Sequence, residues 1–349
     1  MLRSLLNFAA KSSVLEATVF NLAKLLGKQS KSSTVAATRE VDAVYLWVDD
    51  SDDRWRAKRG AYRPVAETAV ATAKSRFRQF DELPYSIRML AKNAPFIRKV
   101  FVVVDDQDPK LDDIAKELPF EVVIVNHSEF IPQQYLPTFN SRAITAHLHR
   151  IPGLAERFLY CNDDVFVGAP SQLTDWFDGD KLCLRFTETK FPPLNSLAEN
   201  EVLYQARWKA VELAREQGWK VTDQMPEHAP YPLTKTALNE IWKQFPREMQ
   251  TTSSAKFRAA DAILPELLAD YWAIGNGKAR IIENRSYKYV PMNDARGIAP
   301  LIDLALKPGR FLTISLNDVS EVPAAYLLDG RRLDNRYRRT LAFLLGTVR

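Results

Sequence analysis

The sequence has 349 residues, of which 46% are hydrophobic and 26% are charged, and these proportions exclude a largely disordered or fibrous chain. The net charge of +5 favours a negatively charged substrate or partner, such as a nucleotide, a polyanion or an acidic lipid surface. We expect no nucleic-acid partner, because the sequence has no zinc-ligand spacing, recognition-helix signature or RNA-binding motif.

The first 40 residues are predicted to form an amphipathic helix and a linker. Residues 1–28 have apolar side chains at helical spacing and carry four basic residues and a single acid. This helix would pack on its own domain or lie on an anionic membrane surface, and an organellar transit peptide is a third interpretation. Residues 29–38 read as a linker. No apolar run of the sequence approaches the roughly 20 residues that a membrane-spanning helix needs.

Strand and helix patterns alternate from residue 41 onwards. Buried strands are predicted at 41–49, 99–107, 120–130 and 157–164, with helices at 83–95 and 141–154. Short apolar strands that alternate with helices predict an α/β domain with a mostly parallel, Rossmann-like sheet flanked by helices. The two cysteines, Cys161 and Cys183, lie far apart in apolar runs, so we expect reduced core residues and a cytosolic location.

The pattern becomes mainly helical at about residues 175–275, which we interpret as a helical insertion. Amphipathic helices are predicted at 200–218, 233–245 and 259–274. A segment at 278–290 and a further strand at 310–318 follow. We expect one domain over residues 41–320, and a basic C-terminal tail with an apolar end over residues 321–349.

Acidic residues follow several of the predicted strands: Asp49, Asp50, Asp52, Asp105, Asp163, Asp164 and Asp318. Ligands of open α/β sheets bind at the carboxyl ends of strands, so the acids that end the strands at 41–49, 99–107 and 157–164 should share one crevice. Carboxylates suit Mg²⁺ or Mn²⁺ that is bound together with substrate phosphates. The alternative is a set of turns in which each side chain bonds to its own backbone. We favour turns for residues 49–52, and a metal or phosphate role for Asp163 and Asp164, which lie between two apolar segments.

Three arginines and one histidine lie beside aromatic or proline residues: Arg76, Arg78, Arg258 and His228. Arginine matches phosphate oxygens and can neutralise charge that develops during phosphoryl transfer. A histidine before a rigid, proline-containing segment can act as general base on a hydroxyl. Taken alone, each of these residues is more often a surface ion-pair partner, and His228 could also be a loop histidine whose hydrogen bonds are satisfied. Together with the acids they predict an enzyme that handles a metal ion and phosphate.

The amino-acid sequences of several segments resemble the four conserved regions of the Stealth family, and they occur in the same order as in that family. The segments are VDAVYLWVDDSDDRW at 41–55, RFRQFDELPYSIRMLAKNAPFIRKVFVVVDDQ at 76–107 with LPTFNSRAITAHLHRIPGLAERFLYCNDDVFVG at 136–168, HAPYPLTKTALNEIWKQFP at 228–246 with SSAKFRAAD at 253–261, and FLTISLND at 311–318. The family comprises bacterial capsule and exopolysaccharide sugar-phosphate transferases. It includes the catalytic part of the enzyme that marks lysosomal glycoproteins with N-acetylglucosamine-1-phosphate.

The resemblance implies a glycosyltransferase-A-like fold and a definite reaction. A saccharide hydroxyl would attack the β-phosphorus of a nucleotide-sugar, with a UDP-sugar as the expected donor. The products would be a phosphodiester-linked capsular polysaccharide or exopolysaccharide and a nucleoside monophosphate. Transfer of this kind depends on in-line positioning and on neutralisation of charge.

The resemblance also implies roles for individual residues. Asp164 and Asp318, with Asp163 as a third ligand, would bind Mg²⁺ or Mn²⁺ at the donor pyrophosphate. His228 would be the general base for the acceptor, and Arg258 would hold phosphate oxygens beside the catalytic Asp164. The neighbouring asparagines of the two motifs are Asn162 and Asn317. The residues expected to contact the donor nucleotide are Tyr45, Trp47, Asp49, Asp52, Arg76 and Asp105.

Two departures from the family pattern bear on activity. Thr145 occupies the position of a family glutamate and cannot act as a base at neutral pH. Asp50 replaces a glycine. In addition, Trp47 would either stack on the nucleotide base or remain a buried strand residue.

Two other functions remain open from the sequence. One is a metal-dependent glycosyltransferase that forms a glycosidic bond, and the other is an inactive relative that binds glycan. For the leading interpretation we expect a cytoplasmic protein, held peripherally at the inner face of the membrane by its basic ends.

Overall fold

The structure is a computed structural model that describes residues 18, 40–62, 77–198, 201–283, 286–307, 309–318, 322–323 and 325–346. The predicted N-terminal helix, apart from Thr18, lies outside the described residues, as do the linker at 29–38 and Arg76. Across the described ranges, no helix has both the length and the apolar character that crossing a membrane requires.

The strands of the described residues are β1 (Val41–Leu46), β2 (Ile97–Val104), β3 (Glu121–Asn126), β4 (Arg157–Asn162), β5 (Val165–Val167), β6 (Phe177–Asp178), β7 (Lys181–Leu184), β8 (Phe186–Lys190), β9 (Gln224–Pro226), β10 (Tyr231–Thr234), β11 (Ala279–Ile281), β12 (Tyr287–Pro291) and β13 (Thr313–Asn317). The α-helices are α1 (Asp53–Ala61), α2 (Glu82–Asn93), α3 (Asp112–Ala115), α4 (Ser141–Thr145), α5 (Val202–Glu216), α6 (Lys235–Gln244), α7 (Pro246–Ser254), α8 (Pro265–Gly275), α9 (Ile298–Leu306) and α10 (Gly330–Leu345).

The central sheet has the strand order β10-β4-β1-β2-β3. The strands β1 to β4 are parallel to their neighbours, and only β10 in this sheet runs antiparallel, to β4. Alternate residues of β4 enter opposite cores, since Phe158 and Tyr160 pack on one face and Leu159 and Cys161 on the other. The α/β class and the mostly parallel sheet are therefore confirmed. The strand order reverses between β1 and β4, which is where such sheets bind ligands.

A second, three-stranded sheet brings the end of the chain to the end of β4. Its order is β12-β13-β5, with β13 parallel to β12 and antiparallel to β5. The backbone N–H of Leu316 donates to the carbonyl of Asp164 at 2.9 Å. Residues 313–318, far from β4 in sequence, thus lie beside the turn between β4 and β5.

The predicted helical insertion is only partly helical. The helices α5, α6 and α8 match the three predicted segments, but residues 177–190 form the short strands β6 to β8 instead. The helix predicted over 141–154 ends at Thr145, and only a 3₁₀ turn at Leu148–Arg150 follows. The segment predicted at 278–290 contains two separate strands, β11 and β12.

The basic C-terminal tail contains the helix α10, which packs on the domain. Its Leu333, Tyr337 and Leu341 are buried, and so is Arg336, which donates to the carbonyls of Met292 and Asp294. The apolar stripe of this amphipathic helix is therefore used in the core, and its other arginines lie on the outer face.

Candidate active site

Gln79 connects Asp163, in the turn after β4, to the segment that follows β1. The side-chain amide of Gln79 donates to Asp163 Oδ2 at 2.8 Å and to the carbonyl of Val48 at 2.7 Å. The indole N–H of Trp47 donates to Gln79 Oε1 at 3.2 Å. Gln79 therefore ties the two strand ends together at the reversal point of the sheet. Sequence reasoning missed it, because a glutamine in a loop carries no pattern.

Asp164 is bonded to a histidine and to an asparagine from distant parts of the chain. His228 Nε2 lies 3.1 Å from Asp164 Oδ2 and 3.2 Å from Oδ1. The amide of Asn317 donates to Asp164 Oδ2 at 3.2 Å. An ionised carboxylate can only accept, so Nε2 of His228 carries the proton of this bond and Nδ1 is left as the basic nitrogen. The structure thus brings together three of the residues named from the sequence.

The electrostatics of His228 follow from this contact. Burial alone would lower the pKa of its imidazole, but the charge of Asp164 and the hydrogen bond to it outweigh burial. The pKa of His228 is therefore raised above its ordinary value. A raised pKa makes the ring a stronger proton acceptor once it is neutral.

Asp318 lies close to Asp164 and is paired with an arginine. Arg78 Nε donates to Asp318 Oδ2 at 3.1 Å, and Arg78 Nη2 donates to the same oxygen. Burial raises the pKa of Asp318, the charge of Arg78 opposes this rise, and the charge of Asp164 adds to it. The other oxygen, Oδ1, is buried without a hydrogen-bond partner in the described structure. The carboxylates of Asp164 and Asp318 therefore lie close enough for the charge of one to act on the other, and the place where they meet is here called the crevice.

Negative charge is concentrated in this crevice beyond what the sequence suggested. Burial and the charge of Asp164 raise the pKa of Asp163 to about 6. Glu82, at the start of α2, is 4% exposed, and its pKa is raised well above its ordinary value by burial and by the charge of Asp163. A cation placed among these acids would offset their repulsion.

Arg258 lies apart from the acids. Its Nη2 donates to Ser141 Oγ at 2.9 Å, at the start of α4. No contact in the described part of the chain joins it to Asp164 or Asp318. Thr145, at the other end of α4, is 1% exposed and donates to the carbonyl of Ser141 at 2.9 Å. Thr145 thus completes its own helical turn and presents no group to the crevice.

The residues expected to contact the nucleotide fall into two groups. Tyr45 is 1% exposed, and its hydroxyl is bonded to Ser86 in the core, so this placement is at odds with a ligand contact. The carboxylate of Asp49 accepts two bonds from Ser51, and Asp52 caps α1, as the turn interpretation expected. These three side chains are therefore used by the fold itself.

The remaining donor candidates lie at the strand ends. Trp47 is half-buried, and its indole N–H is used by Gln79. Asp105 follows β2 and accepts a bond from Lys58 at 2.6 Å, while its Oδ2 is buried without a hydrogen-bond partner in the described structure. Asn162, which was not assigned to the nucleotide, accepts a bond from the hydroxyl of Tyr160 at 3.2 Å.

The carboxylate oxygens of this site suit a hard cation that is also bound by a substrate. Among the described residues, no three His, Cys, Asp or Glu side chains converge to hold a metal ion by themselves. Mg²⁺ is usually bound through one or two carboxylates together with substrate phosphates, so a pair such as Asp164 and Asp318 is the expected protein contribution. The unpartnered, buried Oδ1 of Asp318 fits such an ion.

The chain matches three descriptions of one family: Stealth protein CR1, conserved region 1, at residues 39–64; Stealth protein CR2, conserved region 2, at 76–184; and Stealth protein CR3, conserved region 3, at 227–271. It is 32% identical over 275 residues to the capsular polysaccharide phosphotransferase fcs1 of Haemophilus influenzae, a match that covers 77% of this chain and 73% of that protein. The chain belongs to the Stealth family.

The chain is also similar to longer proteins. It is 37% identical over 242 residues to the exopolysaccharide phosphotransferase SCO6021 of Streptomyces coelicolor, covering 69% of this chain but only 44% of that protein. Among solved structures, mouse xyloside xylosyltransferase 1 is similar at 9% identity and a TM-score of 0.41, covering 81% of this chain and 99% of that one.

Proposed function

We propose that this chain transfers a sugar-1-phosphate from a nucleotide-sugar, with a UDP-sugar as the expected donor, to a hydroxyl of a saccharide acceptor. The product is a phosphodiester-linked capsular polysaccharide or exopolysaccharide. Membership of the Stealth family and the names of the similar phosphotransferases support this reaction class. The observation that carries the proposal is the contact of His228 with Asp164, beside Asp318 and Arg78.

The proposed step breaks one P–O bond and forms another. The acceptor oxygen bonds to the β-phosphorus of the donor, and the bond from this phosphorus to the oxygen that bridges to the α-phosphorus breaks. The electron pair leaves with the nucleoside monophosphate. Nδ1 of His228 takes the proton of the attacking hydroxyl, and Asp164 orients the ring and stabilises the charge that it gains.

A divalent cation, Mg²⁺ or Mn²⁺, is part of the proposal. Asp164 and Asp318 would hold it, with Asp163 beside them, and it would neutralise charge on the donor pyrophosphate. A carboxylate has about four lone-pair sites, so Asp164 can bind a cation and still accept from His228. Arg78 is a further candidate to meet phosphate oxygens, because it already lies against Asp318.

The experiment that tests the proposal follows the leaving nucleotide. The full chain is incubated with Mg²⁺, UDP- or GDP-linked sugars and a panel of saccharides, and the nucleotide products are separated by chromatography. Release of nucleoside monophosphate, with a new phosphodiester signal in ³¹P NMR, is the expected result. Release of nucleoside diphosphate would replace the proposal by glycosyl transfer. No turnover of any donor, together with retained glycan binding, would favour an inactive glycan-binding relative.

We also propose that the protein acts in the cytoplasm, at the inner face of the membrane. The two cysteines are buried and free, as in reduced proteins. The outer face of α10 carries Arg331, Arg332 and Arg338, which suit an anionic lipid surface. Sedimentation with vesicles tests this. Binding should require anionic lipid and should weaken when these arginines are replaced by glutamate or when residues 1–28 are deleted, whereas binding to neutral vesicles would contradict it.

A further inference from the structure

The three-stranded sheet β12-β13-β5 presents one face beside Asp164. In register across it, Tyr289 lies opposite Ser315, and Ser315 lies opposite Val165, the residue after Asp164. Neighbouring strands are about 4.8 Å apart, so Tyr289 is roughly 10 Å from Val165. Two residues further along β12, Pro291 lies opposite Asn317, whose amide donates to Asp164. Ser315 and Val165 are buried, and Asn317 links this face to the candidate active site.

Side chains alternate along β12, and the two faces have different environments. Val290 is buried in the core against α9, and Lys288 is bonded to Asp303 of the same helix. Tyr289, on the opposite face, is 39% exposed, and Tyr287 precedes it on that face. Burial raises the pKa of Tyr289 above its ordinary value, and the charges of Asp164 and of the Tyr204 hydroxyl raise it further. Tyr289 therefore lies within reach of the charge of Asp164, on the face of β12 opposite to the one that packs on α9.

The helix α5 completes this surface with Arg207, whose charge interacts with that of Glu266. Arg207 lies three residues after Tyr204, on the same side of the helix. Its Cζ is 5.5 Å from the ring centroid of Tyr204 and 5.5 Å from that of Phe191. Its Nε is buried without a hydrogen-bond partner in the described structure. The charge of Arg207 also reaches His228, where it opposes the rise in pKa.

A small polar cavity opens beside Arg207. Its polar lining is Arg207, Tyr231, Glu266 and Asp270, and its apolar lining is Pro226, Leu264 and Leu267. Its volume is about 20 Å³, room for one water molecule or one hydroxyl-sized substituent. Asp270 is 3% exposed, and its Oδ1 has no hydrogen-bond partner in the described structure. Glu266 Oε2 is likewise buried and unpartnered there. Such groups are costly unless a bound molecule satisfies them.

We propose that Tyr204, Arg207, Tyr287 and Tyr289, here called the acceptor face, bind the saccharide acceptor. One ring of the saccharide lies against Tyr289, and one of its polar substituents enters the cavity beside Arg207. Amphipathic aromatic rings bury the apolar face of a sugar while polar neighbours fix its orientation. The inference rests on the proposed function, because it identifies the saccharide as the acceptor of that reaction.

The position of these residues in the sequence supports a role in selectivity. All four lie outside the matched regions at 39–64, 76–184 and 227–271, whereas Asp164 and His228 lie inside them. The acceptor face is therefore supplied by segments that the family descriptions do not include. It can select the acceptor without any change in the residues that carry out transfer.

Binding to an array of short neutral and acidic oligosaccharides tests the acceptor face directly. The full chain is compared with Tyr289→Ala, Tyr289→Phe, Arg207→Ala and, as a matched control, Tyr62→Ala, which alters another exposed tyrosine. We expect Tyr289→Ala and Arg207→Ala each to weaken binding of the best saccharide about tenfold. Tyr289→Phe and Tyr62→Ala should retain binding, and circular dichroism should show that all variants are folded.

Kinetics separate a failure of this inference from a failure of the proposed function. Tyr289→Ala should raise the acceptor KM about tenfold, whereas Tyr62→Ala should leave the acceptor KM and the hydrolysis of the donor, measured without acceptor, unchanged. Transfer by the parent chain with an unaltered acceptor KM and unaltered saccharide binding in Tyr289→Ala would overturn the acceptor face alone. Absence of any nucleotide release, with saccharide binding that Tyr289→Ala abolishes, would overturn the proposed function alone. A parent chain that binds no saccharide would overturn the acceptor face.

Discussion

Acidification should destabilise the fold through three histidines that are buried in the neutral state. His127, His147 and His149 are each at most 6% exposed, and burial lowers their pKa values to about 4, about 3 and about 4. His147 is the most isolated of them. Its ring centroid lies 5.3 Å from that of Tyr135 and 5.2 Å from that of Trp242, and neither ring nitrogen has a hydrogen-bond partner in the described structure.

The size of the effect follows from proton linkage. Each histidine has a pKa of about 6.5 in the unfolded chain, so the unfolded state binds protons below that pH that the folded state does not. The stability contributed by each neutral histidine is full above about pH 6.5 and is lost as the pH falls towards the folded pKa. Between about pH 7.5 and about pH 5.5 the loss is about 1.4 kcal/mol per histidine, or about 4 kcal/mol for the three.

Buried acids act in the opposite direction and must be separated from the histidines. Asp163, with a pKa raised to about 6, and Glu227, with a pKa raised to about 7, bind protons in the folded state before they do so in the unfolded state. Their contribution to stability is present at low pH and is lost as the pH rises through the folded pKa. The pH dependence of the parent protein alone therefore does not isolate the histidines.

The substitution His147→Phe isolates one of them. Phenylalanine keeps an aromatic ring between Tyr135 and Trp242 and cannot take up a proton. Urea unfolding, followed by tryptophan fluorescence at the two pH values, gives the free energy of unfolding of both proteins. The parent should lose about 1.4 kcal/mol more than His147→Phe on acidification. Equal losses would show that His147 is protonated in the fold, and the account of its burial would be wrong.

Three further predictions concern the site. His228→Ala should lower turnover by about 10²–10⁴-fold. Asp164→Asn should shift the acidic limb of the pH–rate profile to lower pH, because the carboxylate no longer raises the pKa of His228. An acidic limb at the same pH in Asp164→Asn would contradict the coupling of the two residues. EDTA should abolish transfer, and Mg²⁺ or Mn²⁺ should restore it. The variant Asp318→Asn should need a higher metal concentration for its half-maximal rate. Transfer that persists in EDTA would refute the cation site. Gln79→Ala should lower turnover at least about tenfold by releasing Asp163, while circular dichroism stays that of the parent protein.

Features that depend on local pattern could be predicted from the sequence. The strands β1 to β4 are continuous apolar runs, and the acids that follow them lie at one edge of the sheet because the strands are parallel. The pairing of strands that are distant in the sequence could not be predicted from local pattern. The contact of β13 with β5 brings Asp318 to Asp164. Only the family resemblance, which pairs the motifs, indicated that the two aspartates would meet.

Side-chain direction explains most of the differences at the site. Tyr45 was expected at the ligand, but alternation along β1 directs it into the core towards α2. Arg258 was expected at the phosphates; its Nη2 donates to Ser141, and its role stays a prediction. Gln79 lies in a loop without periodicity, and its bonds to Val48 and Asp163 depend on the tertiary fold. Such contacts could not be predicted from the sequence, because no residue spacing indicates them.

The position of the site suggests how one scaffold can serve different polymers. Asp163 and Asp164 are fixed at the reversal point of the central sheet by a short turn between two buried strands, so a change there would disturb both sheets. Tyr289 is 39% exposed, so its substitution removes few contacts within the core. If the proposed acceptor face binds the saccharide, acceptor choice depends on Tyr289 at an exposed position and transfer depends on residues between buried strands, so the first can vary while the second is kept.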